Sequence, residues 1–132
     1  MVIYDNGFLK LDYETNTDIL SVMMPPVDTI LLPEVARSFG VIVEHVRNYD
    51  IKKLLIDARE TRVDVEEEVF KPIISDFVKG LASTRIKRVA RLVSPSFARE
   101  LVVTKVFQDR EIPIEFESFT EATPAYAWLE ND

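Results

Sequence analysis

The chain has 132 residues, 47% hydrophobic and 30% charged, with three glycines, one histidine and no cysteine. This is the size and composition of one soluble globular domain with a single sizeable core, and it excludes disulfides, thiol catalysis and thiolate metal sites. A formal net charge of −7 argues against nucleic-acid binding, which needs Lys and Arg to neutralise phosphates, and no apolar run is long enough to span a membrane.

The N-terminal stretch Met1–Lys10 has no basic segment followed by a long apolar region, so no signal peptide is expected and a cytoplasmic location is. Phe8–Tyr13 is β-prone, Glu14-Thr15-Asn16-Thr17-Asp18 supplies turn residues, and Ile19–Met24 reads as a second strand, giving a hairpin. Pro25-Pro26 ends it, because proline cannot donate to a ladder. Asp28 or Thr29 is placed to cap the next element. That element is a helix over Leu32–Tyr49, with Val35, Phe39, Ile42, Val46 and Tyr49 as a core-facing stripe. Pro33 fits its first turn, and Gly40, costly inside a helix, is expected to mark close packing against the sheet.

Ile51–Asp57 is an apolar strand. The spacing then predicts a helix over Val63–Leu81, with Asp64 as N-cap, Glu66, Glu67 and Glu68 in a first turn that favours acids, and Pro72 as a source of a kink. Gly80 and Ser83-Thr84 are expected to end it. Ile86–Val93 is the next strand, and Ser94 or Ser96 caps a helix through about Asp109. Ile112–Phe119 is the last strand, and Thr120 caps a short helix whose buried face is Ala122, Ala125, Tyr126 and Leu129, with Trp128 off that stripe and partly exposed. The expected class is α/β: a mixed sheet of about five strands in one domain, an antiparallel hairpin followed by α-β-α-β-α-β-α, with Ile51–Asp57 and Ile86–Val93 as parallel inner neighbours.

Charge is unevenly spread. Seven basic residues face two acidic ones between Ser83 and Arg110, a local +5 that leaves −12 for the rest. A solvated basic strand end and helix face accounts for this. His45, in mid-helix with no partner by sequence, reads as a surface or packing histidine rather than a general base. Gly7, Gly40 and Gly80 are isolated, so no phosphate-cradling loop is present, and no His/Asp/Glu set has metal-ligand spacing. No catalytic residue, metal or cofactor is therefore expected. The best-placed polar segment is Asp57 to Arg62, after the carboxyl end of a central strand, where open α/β sheets bind ligands. Asp57, Arg59 and Thr61 are candidate ligand or partner residues there, and Asp57 and Arg59 can equally pair with each other. Met23 and Met24 form a second candidate patch, adaptable and apolar. Trp128 is a third, as a marker of a subunit or partner surface.

Three segments carry a resemblance: LLIDAR at Leu54–Arg59, RVARLVSP at Arg88–Pro95, and FESFTEATPAYAWL at Phe116–Leu129. Together they resemble the SpoIIAA-like family, small bacterial domains grouped with the STAS and CRAL-TRIO folds. The most specific part is the closing helix with Phe119, Ala122, Ala127, Trp128 and Leu129. Anti-anti-sigma STAS domains carry a phosphorylated serine just after an aspartate at the corresponding place. Here the segment is Asp57-Ala58-Arg59-Glu60-Thr61, with alanine in the serine position. The resemblance implies a SpoIIAA-like or STAS-like fold and a non-enzymatic binding or regulatory role, acting on a protein partner or a second copy. The alternative is a small apolar or anionic, lipid-like ligand.

Overall fold

A computed structural model describes residues 1–24, 27–28, 31–60, 63–93 and 114–131. The first three strands form a meander: β1 (Val2–Asp5), β2 (Lys10–Glu14) and β3 (Ile19–Met23) pair antiparallel in sequence order. The β1–β2 turn is built on Asn6-Gly7. Gly7 has φ +85, the Asn6 Oδ1 accepts from the backbone N–H of Phe8 and Leu9 at 2.9 and 2.7 Å, and Asp5 Oδ1 accepts from Gly7 N–H. Asparagine and glycine are the residues that such a turn needs, because one supplies a local acceptor and the other a left-handed backbone. The expected five strands are therefore six. The N-terminal strand is one that the apolar runs alone do not announce.

From β3 onward the sheet is parallel. β5 (Lys53–Asp57) lies between β3 and β7 (Arg88–Leu92), and β8 (Glu115–Phe119) closes the far edge, in the order β1-β2-β3-β5-β7-β8. The expected parallel neighbours are in register, Leu54 opposite Val89 and Leu55 opposite Ala90. Two short strands, β4 (Val27–Asp28) and β6 (Val63–Asp64), pair parallel in a separate ribbon.

Side chains alternate across this sheet, and two cores result rather than one. On one face Leu11, Leu20, Val22, Leu54, Ile56 and Val89 are buried beneath helices α1 (Leu32–Asn48) and α2 (Glu67–Ala82). On the other, Ile19, Leu55, Ala90 and Leu92 are buried beneath helix α3 (Ala122–Glu130), whose Ala125 and Leu129 are fully enclosed. The expected helix before Ile112, its caps Ser94 and Ser96, and part of the last strand lie outside the described residues.

The helix ends differ from expectation. The residue before α1 is Leu31, without a side-chain cap, and Asp28 belongs to β4. The residue before α2 is Glu66, because Asp64 is held in β6, and Glu121 rather than Thr120 precedes α3. The carboxyl end of α1 is a Schellman motif: Ile51 N–H donates to Val46 carbonyl at 3.0 Å and Asp50 N–H to Arg47 carbonyl at 3.3 Å. Asp50 takes the left-handed position usually given to glycine, at φ 55, and buried Ile51 and Val46 supply the accompanying apolar contact. This exit turns Tyr49 outward, so it is 47% exposed and not part of the core stripe.

Neither Gly40 nor Gly80 has its expected role. A Cβ on Gly40 would meet nothing within 4 Å, so this glycine does not mark close packing. A Cβ on Gly80 would lie 3.0 Å from Val43 Cγ2 and 3.2 Å from Val43 Cγ1, so Gly80 lies within α2 as its point of close approach to α1. Among the described residues of the basic segment, Arg85 and Lys87 are exposed as expected, but Arg91 is not. Arg91 is only 4% exposed because β7 is covered on both faces.

This packing sets the expected stability of three variants. Gly40→Ala should stabilise by about 0.5–1 kcal/mol, the ordinary helix preference for alanine at an open site. Gly80→Ala should lose that gain to the Val43 contact and be neutral or destabilising, and should recover it in a Val43→Ala background, read as urea midpoints of the four variants. Leu129→Ala should cost about 2–5 kcal/mol in the same assay; a loss below about 1 kcal/mol would make α3 peripheral.

Candidate functional site

The carboxyl ends of β3 and β5 bring several expected residues together on the α3 face. Ser21 and Met23 of β3, Leu55 and Asp57 of β5, and Leu92 of β7 alternate onto this face, and Ala122 and Tyr126 of α3 approach from above. Lys10 and Asp12 face the same way on β2, opposite Met23 and Ser21. These residues, with Val22 and Arg59, line a cavity of about 220 Å³.

Asp57 and Arg59 do pair with each other. Arg59 Nη2 donates to Asp57 Oδ2 at 2.9 Å, and Nε and the backbone N–H both donate to Oδ1 at 3.1 Å. This two-pronged geometry fixes the guanidinium plane as well as its charge. The side-chain bond from Arg59 holds the Asp57 carboxyl below its usual range, against the opposing effect of partial burial, and Asp57 in turn raises the arginine. Between the sheet and α3 the Ser21 and Tyr126 hydroxyls share a hydrogen bond of 2.9 Å. Their separation of 105 positions in sequence leaves no local signal for this contact.

The remaining candidates divide. Met23 is 55% exposed and on the cavity rim, whereas Met24, the next residue, points to the opposite face and is buried in the α1–α2 core at 6%. The two methionines are therefore not one patch. Thr61 lies outside the described residues. Trp128 is at the other end of α3, half-buried as expected from its position off the stripe. Arg88 stacks over its ring at 5.4 Å and donates from Nη1 to its carbonyl at 2.8 Å, while Arg88 Nε lies 3.3 Å from Glu115. Arg88 thus satisfies a terminal carbonyl of a helix whose own last turn contains no basic residue. His45 is a packing residue: its Nδ1 is 2.8 Å from Val41 carbonyl, with Tyr4 edge-on at 5.3 Å and Tyr49 stacked at 6.2 Å.

A second cavity, of about 290 Å³, lies between α1 and α2 over Gly40 and Gly80. Among the described residues no group of three or more His, Asp or Glu side chains is placed to hold a metal ion, and no helix is long and apolar enough to cross a membrane. Comparison with protein-family models, with curated proteins and with solved structures gave no match.

The Asp57–Arg59 pair predicts an acid-sensitive contribution to stability. Because the folded-state pKa of Asp57 is depressed, its contribution is fully present above the ordinary carboxylate range and is lost as pH falls through the folded value. Asp57→Asn should therefore be less stable than the parent at pH 7, and the gap in urea midpoint should narrow below about pH 4. A gap that is the same at both pH values would assign the loss to packing instead.

Proposed function

We propose that this chain is a SpoIIAA-like, STAS-like binding domain that acts without catalysis, through a protein partner seated at the carboxyl ends of β3 and β5. The observation that carries this reading is the composition of that place: exposed Met23 beside a fixed Asp57–Arg59 pair, around a shallow cavity walled by Leu55, Leu92 and Ala122. Carboxyl ends of parallel strands are where open α/β sheets bind. An apolar centre with a polar, hydrogen-bonded rim is the anatomy of a protein interface. At about 220 Å³ the cavity is smaller than the roughly 300–1,000 Å³ of pockets that enclose whole ligands, and it suits one anchoring side chain better than a lipid.

What supports the family reading is the mixed α/β sheet with Asp57 at the end of a central parallel strand and Ala58 next to it. Ala58 is buried and has no hydroxyl, so binding in this chain is not gated by phosphorylation at that position.

The test is site-specific photo-crosslinking in the native host, with a benzophenone amino acid at position 23 and a control at the exposed but distant Tyr49. A discrete protein adduct at 23 and not at 49 is the expected result. No protein adduct at 23, or the same adducts at both positions, overturns the reading. Native mass spectrometry of the purified protein adds a second criterion: a stoichiometric small apolar molecule that Tyr126→Trp displaces would replace the partner by a ligand.

A further inference from the structure

The donors and acceptors around the β3–β5 cavity do not balance, and the imbalance gives the partner a chemistry. Asp57 has both carboxylate oxygens engaged by Arg59, one of them twice. Asp12 accepts from the amino group of Met1 at 2.9 Å. Glu60, next to Arg59, is exposed and does not line the cavity. The acidic groups of the lining are thus already partnered.

The donors are not used up. A guanidinium carries five N–H bonds, and Arg59 spends two of them on Asp57, leaving the rest on a side chain that is 44% exposed. Lys10 lines the cavity with no ion pair or side-chain hydrogen bond among the described residues. Ser21 and Tyr126 share one hydrogen bond between two hydroxyls, which leaves one O–H free to donate. Against an otherwise acidic molecule of net charge −7, this rim presents surplus donors and an unpaired cation. The walls between them, Met23, Leu55, Leu92 and Ala122, are apolar.

We propose that the cavity receives an acidic–apolar segment of the partner, an apolar side chain entering between Met23 and Leu92 while a neighbouring Asp or Glu carboxylate takes hydrogen bonds from Lys10 and Arg59. This rests on the protein-binding reading above and adds the sign and the anchor. Asp57 holds the guanidinium plane through Nε and Nη2, which removes part of the ordering cost of binding.

The test is an amide-resolved NMR titration of the full chain with three probes: acetyl-Leu-Glu-amide, acetyl-Leu-Gln-amide and N-acetylleucine. The first should bind at about 1–10 mM, as expected for a small fragment, with shifts centred on Ser21, Met23, Arg59 and Tyr126. The glutamine probe should be about tenfold weaker, because it lacks the charge that strengthens those hydrogen bonds. Lys10→Gln, an exposed substitution, should weaken the glutamate probe about two- to fivefold and leave the glutamine probe unchanged. Equal binding of the two amides, shifts centred instead on Gly40 and Gly80, or no binding by 20-fold excess over about 1 mM overturns the proposal. Binding of N-acetylleucine alone overturns it in favour of a free carboxylate ligand. A photo-adduct at position 23 combined with failure of the probes leaves the protein-binding reading standing and removes only the carboxylate preference.

Discussion

Leu54 and Leu55 are adjacent on β5, and each is buried in a different core. A parallel strand in the middle of a sheet has no solvent face, so every residue along it must find an apolar neighbour or a specific polar partner. This one constraint sets the layers. It requires α1 and α2 on one side, α3 on the other, and strands β3 and β7 of matching apolar content on either flank. It also explains the cost of the arrangement, since α3 is short and must seal its core with the buried pair Ala125 and Leu129.

The same constraint places the candidate site. Burial on both faces ends where the strands end, and polar side chains become affordable there. Asp57 is the last residue of β5 and keeps the face of Leu55, two residues before it. Ser21 and Met23 reach that face from β3, and the amino end of α3 overhangs it without covering it. A charged pair, a hydroxyl pair and an exposed methionine therefore gather at one rim because the sheet stops there.

What was legible in the sequence follows from the same physics. Ile51–Asp57 and Ile86–Val93 are rich in apolar residues because both their faces are covered, and their parallel pairing was readable from that and from the intervening helix. Ala125 and Leu129, the buried residues of α3, were readable from spacing, as was partly exposed Trp128 beside them, whereas Ala122 and Tyr126 of the expected buried face are only half-buried. β1 was missed because Val2–Asp5 is short and at an edge, although Asn6-Gly7 after it is a strong turn signal. Close packing falls at Gly80 and not at Gly40, because helical periodicity identifies a face but not the partner that meets it. Met23 and Met24 were read as one patch, although in a strand neighbours must part to opposite faces. The Asp57–Arg59 pair was anticipated as a local possibility. The Ser21–Tyr126 bond and the stacking of Arg88 on Trp128 depend on tertiary contacts and had no counterpart in any window of sequence.

The late position of α3 in the chain has a consequence for biosynthesis. Synthesis runs from the amino end, so Ile19, Leu55, Ala90 and Leu92 leave the ribosome before Ala125 and Leu129 exist to cover them. During that interval the α1–α2 core can form before the α3 contribution to the second face exists. An uncovered apolar sheet face in a growing chain is a substrate for holdase chaperones and a nucleus for aggregation. The hydrogen bond from Arg88 to the Trp128 carbonyl can form only once the last turn of α3 has been made, so it belongs to the last step in closing this face.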